Sequence, residues 1–135
     1  MKITGNNFAF IDSQNLNLAV RDQGWILDFR KFRVFLLEKY SITTAYLFLG
    51  YIPSNEKLYC FLRDCGYILI FKKVSFLPGG SIKGNIDVEL TLLAIINYSI
   101  YDKAIIVTGD GDFYCLIEYL KNNNKLLKLM VPNRS

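Results

Sequence analysis

This 135-residue sequence predicts an α/β domain built on a mainly parallel five-stranded sheet, and three observations carry that expectation. Short runs of consecutive apolar residues recur along the chain, as strands buried on both faces require. Segments with helical apolar periodicity separate them. Strand and helix signals alternate throughout, the order that generates right-handed crossovers between parallel strands.

Taken in order, Asn7–Asp12 ("NFAFID") reads as a buried strand ending in a carboxylate, and Gln14–Val20 as a short helical stretch. Asp28 is placed to cap a stronger helix with Phe29, Phe32, Leu36 and Lys39/Tyr40 on one face. Thr44–Gly50 is the second strand. Ser54 would cap a helix whose Leu58, Phe61, Leu62 and Cys65 follow the i, i+3, i+4, i+7 pattern, with Gly66 placed to end it. Tyr67–Phe71 is the third strand, and Pro78-Gly79-Gly80 marks residues 72–84 as a loop. A long helix is expected from Asn85 to about Tyr98, then a fourth strand over Ala104–Thr108. Phe113, Leu116, Ile117 and Leu120 give the following helix its apolar stripe, and Leu126–Val131 is the fifth strand. Residues 1–135 are expected to form a single domain, and a closing helix could follow the fifth strand.

Composition narrows the chemistry. Hydrophobic residues make up 52% and aromatic residues 15%, yet no apolar run reaches the roughly 18–20 residues of a membrane span. The first residues lack a signal-peptide pattern, so the expectation is a cytoplasmic protein with no membrane partner. A net charge of +4 is compatible with a nucleic-acid partner without requiring one. There is no histidine, which leaves carboxylates, amides, hydroxyls and lysines for any reaction. Three cysteines with no C-x-x-C pair argue against a disulfide framework or zinc knuckle; each sits among apolar residues and reads as a buried thiol. Aromatics such as Tyr51, Tyr101 and Tyr119, read as exposed, suggest a homodimer.

With strand order 3-2-1-4-5, strands one and four meet at the point where ligands bind in open parallel sheets. Asp12 ends strand one, and Asp110 and Asp112 follow strand four. Asp87 opens a helix on the same edge. Four converging carboxylates repel one another unless cations sit between them, and hard ions such as Mg²⁺ or Mn²⁺ take oxygen ligands. Such ions can activate a water for phosphodiester cleavage. Gly109 and Gly111 would let the backbone approach a phosphate. Each feature alone has an ordinary explanation: Asp-Gly is a common turn, and Asp112, Asp12 or Asp87 could serve as a cap or first-turn acid.

"FIDSQNL" (Phe10–Leu16), "KGNIDVEL" (Lys83–Leu90) and "AIIVTGDGDFYCLIEYL" (Ala104–Leu120) together resemble the NYN domains, in the LabA-like branch of the PIN-like nucleases. The resemblance implies a PIN-like three-layer sandwich and a divalent-metal-dependent ribonuclease site acting on RNA. Carried over by position, Asp12, Asp87, Asp110 and Asp112 would form the acidic cluster. Asn15 would orient water or substrate, Ser13 and Thr108 offer hydroxyls, and Lys83 would contact phosphate. Many members carry one more aspartate about two turns into the central helix. Here Leu92 and Leu93 occupy that region, and Glu89 differs from Asp87 by about 200° of helical phase.

The leading expectation is therefore a metal-dependent endoribonuclease, with the 72–84 loop gripping the strand. The alternative is a non-catalytic RNA-binding or regulatory module, bound through Lys72, Lys73 and Lys83. A Mg²⁺-dependent phosphatase ranks lower, because Ser13-Gln14 follows Asp12 where an acid two residues on would be required.

Overall fold

The computed structural model describes residues 5–12, 28–51, 53–72, 75–76, 82–83, 86–108 and 113–131; at 72, 75, 76, 82, 83, 86 and 87 only the backbone is described. The expected Gln14–Val20 helix lies outside the described residues.

Seven strands and four α-helices occur among the described residues: β1 (Asn7–Asp12), α1 (Phe29–Tyr40), β2 (Ile42–Gly50), α2 (Glu56–Asp64), β3 (Ile68–Lys72), β4 (Ser75–Phe76), β5 (Ile82–Lys83), α3 (Ile86–Ile96), β6 (Ala104–Val107), α4 (Tyr114–Asn122) and β7 (Leu126–Met130). The main sheet is wholly parallel, in the order β3-β2-β1-β6-β7. β6 and β7 are its fourth and fifth strands along the chain, so this is the expected order 3-2-1-4-5. One finding was not foreseen. Within the stretch read as irregular, β4 and β5 pair antiparallel, Ser75 opposite Lys83 and Phe76 opposite Ile82.

Strand side chains alternate between faces, so β1 feeds two separate cores. Ala9 and Ile11 join Leu47, Ile105 and Val107 beneath α1 and α2, where Leu36, Tyr40, Tyr59 and Leu62 close the layer. Phe8 and Phe10 join Phe48 and Ile106 beneath α3 and α4, against Leu90, Ala94, Leu116 and Leu120. The sheet is thus sandwiched between two helical layers. The helices that follow β1 and β2 lie on one face, and those that follow β3 and β6 on the other. The chain reverses direction across the sheet between β1 and β6.

Helix ends largely follow local chemistry. Asp28 accepts the Lys31 N–H at 3.1 Å and starts α1 as expected. Gly66, at φ +104°, follows the C-terminus of α2 in a conformation that suits glycine. Ser54 does not cap α2. It lies in a 3₁₀ turn over Pro53–Asn55, and Asn55 precedes the helix without a side-chain cap bond. The buried stripe of α2 also differs from expectation by one position. Tyr59 and Leu62 point inward, while Leu58 and Phe61 are exposed. Tyr59 wins because its ring packs at 4.8 Å from Phe71 and 5.6 Å from Tyr51.

The thiols are corrected as well: Cys60 and Cys115 are exposed and Cys65 is half-buried. An apolar neighbourhood in sequence does not bury a residue that sits one position off its helix's inward stripe. Tyr101 is likewise not exposed. It packs against Phe8 and Phe10 and donates its hydroxyl to the Ala94 carbonyl at 2.8 Å. Burial pushes its phenol pKa up to about 12.

At the N-terminal edge of the sheet, buried Asn7 ties three elements together. Its amide donates to the Tyr40 carbonyl at 2.7 Å, and its Oδ1 accepts the Lys103 N–H at 3.1 Å. Nearby, Lys125 Nζ donates to the carbonyls of Tyr98 and Tyr101, at 2.8 and 2.6 Å, between the two rings.

Candidate functional site

Two strand ends define the C-terminal edge at the reversal point. Ile11 pairs with Val107, so Asp12 on β1 and Thr108 just beyond β6 emerge side by side. Asp12 follows Phe8 and Phe10 in the alternation, and Thr108 follows Ala104 and Ile106, which sets both on the α3/α4 face. Both are about 2% exposed. Thr108 Oγ1 donates to Asp12 Oδ2 at 3.2 Å, while the Thr108 N–H donates to the Met130 carbonyl at 3.0 Å. β7 thereby steadies the residue that steadies Asp12. Phe48, paired with Asp12 in the β1–β2 register, adds a buried aromatic wall.

α3 packs across β1 and β2 and begins at this same edge, because it follows β3 and runs back over the sheet. Asp87 is its second residue. It precedes Leu90 by three positions and Ala94 by seven, so the helix places position 87 on its sheet-facing side. Leu92, by contrast, is largely exposed, and Leu93 is half-buried against the aromatic core. Glu89, which sequence reasoning set aside, lies four residues before Leu93 and shares that flank of the helix. It is half-buried, with Oε2 out of reach of solvent. Its i+4 spacing from a core-packed leucine was the signal for its burial.

The remaining expected site residues are placed only in part. Gly109, Asp110, Gly111 and Asp112 lie outside the described residues, as do Ser13, Asn15 and Lys73. Their flanks are fixed: Thr108 and Phe113 are both buried. Lys72 ends β3 and Lys83 ends β5, with only their backbones described. Among the described residues no three acidic or cysteine side chains gather into a metal-sized cluster. What is described is one buried carboxylate, a hydroxyl bonded to it, and the first turn of a helix bearing a second acid. These donors are all oxygens, a set that suits a hard divalent cation and not a soft metal.

Fold and site together define a doubly wound α/β domain with an acid at its switch point. The model of the NYN domain matches residues 8–135, and the chain belongs to that family, within the PIN-like nuclease superfamily. Among solved structures, a protein of unknown function from Vibrio parahaemolyticus superposes with a TM-score of 0.80 at 21% identity, covering 98% of this chain and 96% of its own. At that identity the likeness speaks for the fold. A search of curated proteins finds no significant match. No described helix is long and apolar enough to cross a membrane.

Proposed function

We propose that the protein is a divalent-metal-dependent endoribonuclease of the LabA-like branch, acting on RNA at the β1/β6 edge, with a cytoplasmic location. The observation that carries the reading is the buried Asp12 carboxylate, held by Thr108 one residue before the Gly-Asp-Gly-Asp segment. A buried carboxylate fixed at the switch point of a parallel sheet is placed where an active-site acid works.

Asp12, Asp87, Asp110 and Asp112 would hold Mg²⁺ or Mn²⁺, which when bound supplies a polarised water and offsets charge on the leaving oxygen. The chain's own residues do the positioning. Thr108 fixes the rotation of the Asp12 carboxylate, and the Asn15 amide orients water or substrate. Lys72, Lys73 and Lys83 offset phosphate charge along the RNA strand, and Ser13 hydrogen-bonds it. Gly109 and Gly111 leave room for a phosphate beside the backbone.

The test is cleavage of labelled single-stranded and structured RNAs with Mn²⁺, with EDTA, and with Asp12→Asn. The reading expects cutting only in the first condition. Cutting that survives both EDTA and the substitution overturns it.

A second reading, a non-catalytic RNA-binding module, draws on Leu93. In the region where many NYN domains carry an acid, this chain has Leu92, which is exposed, and Leu93, which packs half-buried against the core. That reading expects salt-sensitive RNA binding without turnover.

A further inference from the structure

We propose that the outward face of α3 is the self-association surface of this protein, and that its occupant is α3 of a second copy in an antiparallel, two-fold arrangement. Val88 and Leu92 are each 55% exposed, Ile95 43% and Ile96 63%, and Ile100 in the following turn is 57% exposed. Positions 88, 92, 95 and 96 fall on one side of the helix, opposite Leu90 and Ala94. With both sides apolar, α3 has the composition of a buried helix while one of its sides faces out.

Area and charge decide the occupant. The five side chains expose roughly 450 Å² of contiguous apolar surface, the size of the largest, often functional, patch on a monomer. Two copies face to face would remove roughly 900 Å² through this stripe alone, and its rim carries the contact past the roughly 1,000 Å² of a specific interface. Tyr119 supplies part of that rim. It is exposed, and its ring lies 5.8 Å from Tyr98 beside the helix end.

From Thr91 to Ile100 the chain carries no charged residue, so a protein of net charge +4 can meet its copy here without like charges in contact. The charges on α3 are acids, Asp87 and Glu89, where a helix lying on an anionic membrane would need lysine or arginine. Two-fold symmetry about the stripe's centre brings each Leu92 nearest its own mate, and ridges of Val88, Leu92 and Ile96 interlock at about 8–10 Å between axes.

Sedimentation velocity on the full chain across a concentration series tests this. The expected result is a reversible species of twice 15.6 kDa that the double variant Leu92→Glu/Ile96→Glu converts to monomer. Val34→Glu/Leu37→Glu, on the exposed apolar side of α1, should leave the dimer intact. Should the α3 double variant lose its circular dichroism, Leu92→Cys in a Cys60→Ser/Cys115→Ser background replaces it, and a short bis-maleimide should then link two chains covalently. Monomer at every concentration, a dimer that survives the α3 variant, dissociation by the α1 variant, or no cross-link at Leu92→Cys each overturns the proposal.

Discussion

Thr108 Oγ1 reaches Asp12 Oδ2 at 3.2 Å, a hydrogen bond between the ends of two strands whose partners lie 96 residues apart in sequence. Neither residue is exposed enough to be held by solvent. The bond therefore sets how the carboxylate presents itself at the sheet edge. Thr108→Val keeps the shape and removes the donor, and Mn²⁺ affinity should fall roughly 10–100-fold, the usual cost of losing an orienting partner. Calorimetric titration of Mn²⁺ reads this directly. Unchanged affinity would show that Thr108 is only a strand-end residue.

Metal binding should register in the fold as well. A ligand bound only by the native state stabilises it by about 2.7 kcal/mol at a hundred times its dissociation constant, several degrees of midpoint for a domain of this size. Melting curves with and without Mn²⁺ should show that rise in the wild type and lose it in Asp12→Asn. An equal rise in both would place the ion elsewhere.

Asn7 offers a contrast from the opposite edge. Replacing it by alanine strips partners from the buried Tyr40 carbonyl and the Lys103 N–H, at a cost of about 1–3 kcal/mol each. Urea unfolding should show the loss. The proposed RNA cleavage, measured per folded molecule, should not change, because Asp12 lies at the other end of β1.

Alkaline pH should unfold the protein in a defined window. Burial raises the phenol of Tyr101 to about 12 and pushes that of Tyr67 up as well, whereas unfolded tyrosine ionises near 10. The folded state holds these protons more tightly, so their contribution is complete below about pH 10 and is lost as pH climbs toward 12. Tyr101→Phe should cost about 1 kcal/mol at pH 8 through the lost bond to Ala94, yet show a shallower decline between pH 10 and 12. Urea midpoints across that range decide it.

The sheet was legible because its strands are continuous apolar runs, and strict alternation with helices left few topologies. Strand ends moved by only a residue or two: β2 begins at Ile42 instead of Thr44, and β6 ends at Val107. Helix stripes were legible where one face is plainly apolar, as with Phe29, Leu36 and Tyr40 on α1. They were not where apolar residues fill adjacent positions. In "LYCFL" (58–62) every residue could face the core, and only Phe71 and Tyr51 across the interface select Tyr59. Tyr101 was misjudged for a related reason: it precedes a strand in a turn, where no periodicity reports burial. Of the candidate site, Asp12 could be placed from its strand, but not its bond to Thr108, which depends on register. The β4–β5 pairing escaped because two-residue strands are shorter than any pattern.

The β1–β6 pairing has a consequence for biosynthesis. The first strand's neighbour across the reversal point is residues 104–107, and the Asp12 and Thr108 that end this pairing lie 96 residues apart. Until that segment leaves the ribosome, the centre of the sheet has a vacant lane and Asp12 has no Thr108 beside it. Long-range parallel pairing of this kind also closes slowly. Whatever chemistry depends on the Asp12–Thr108 contact therefore begins only after the intervening segment has been made and paired.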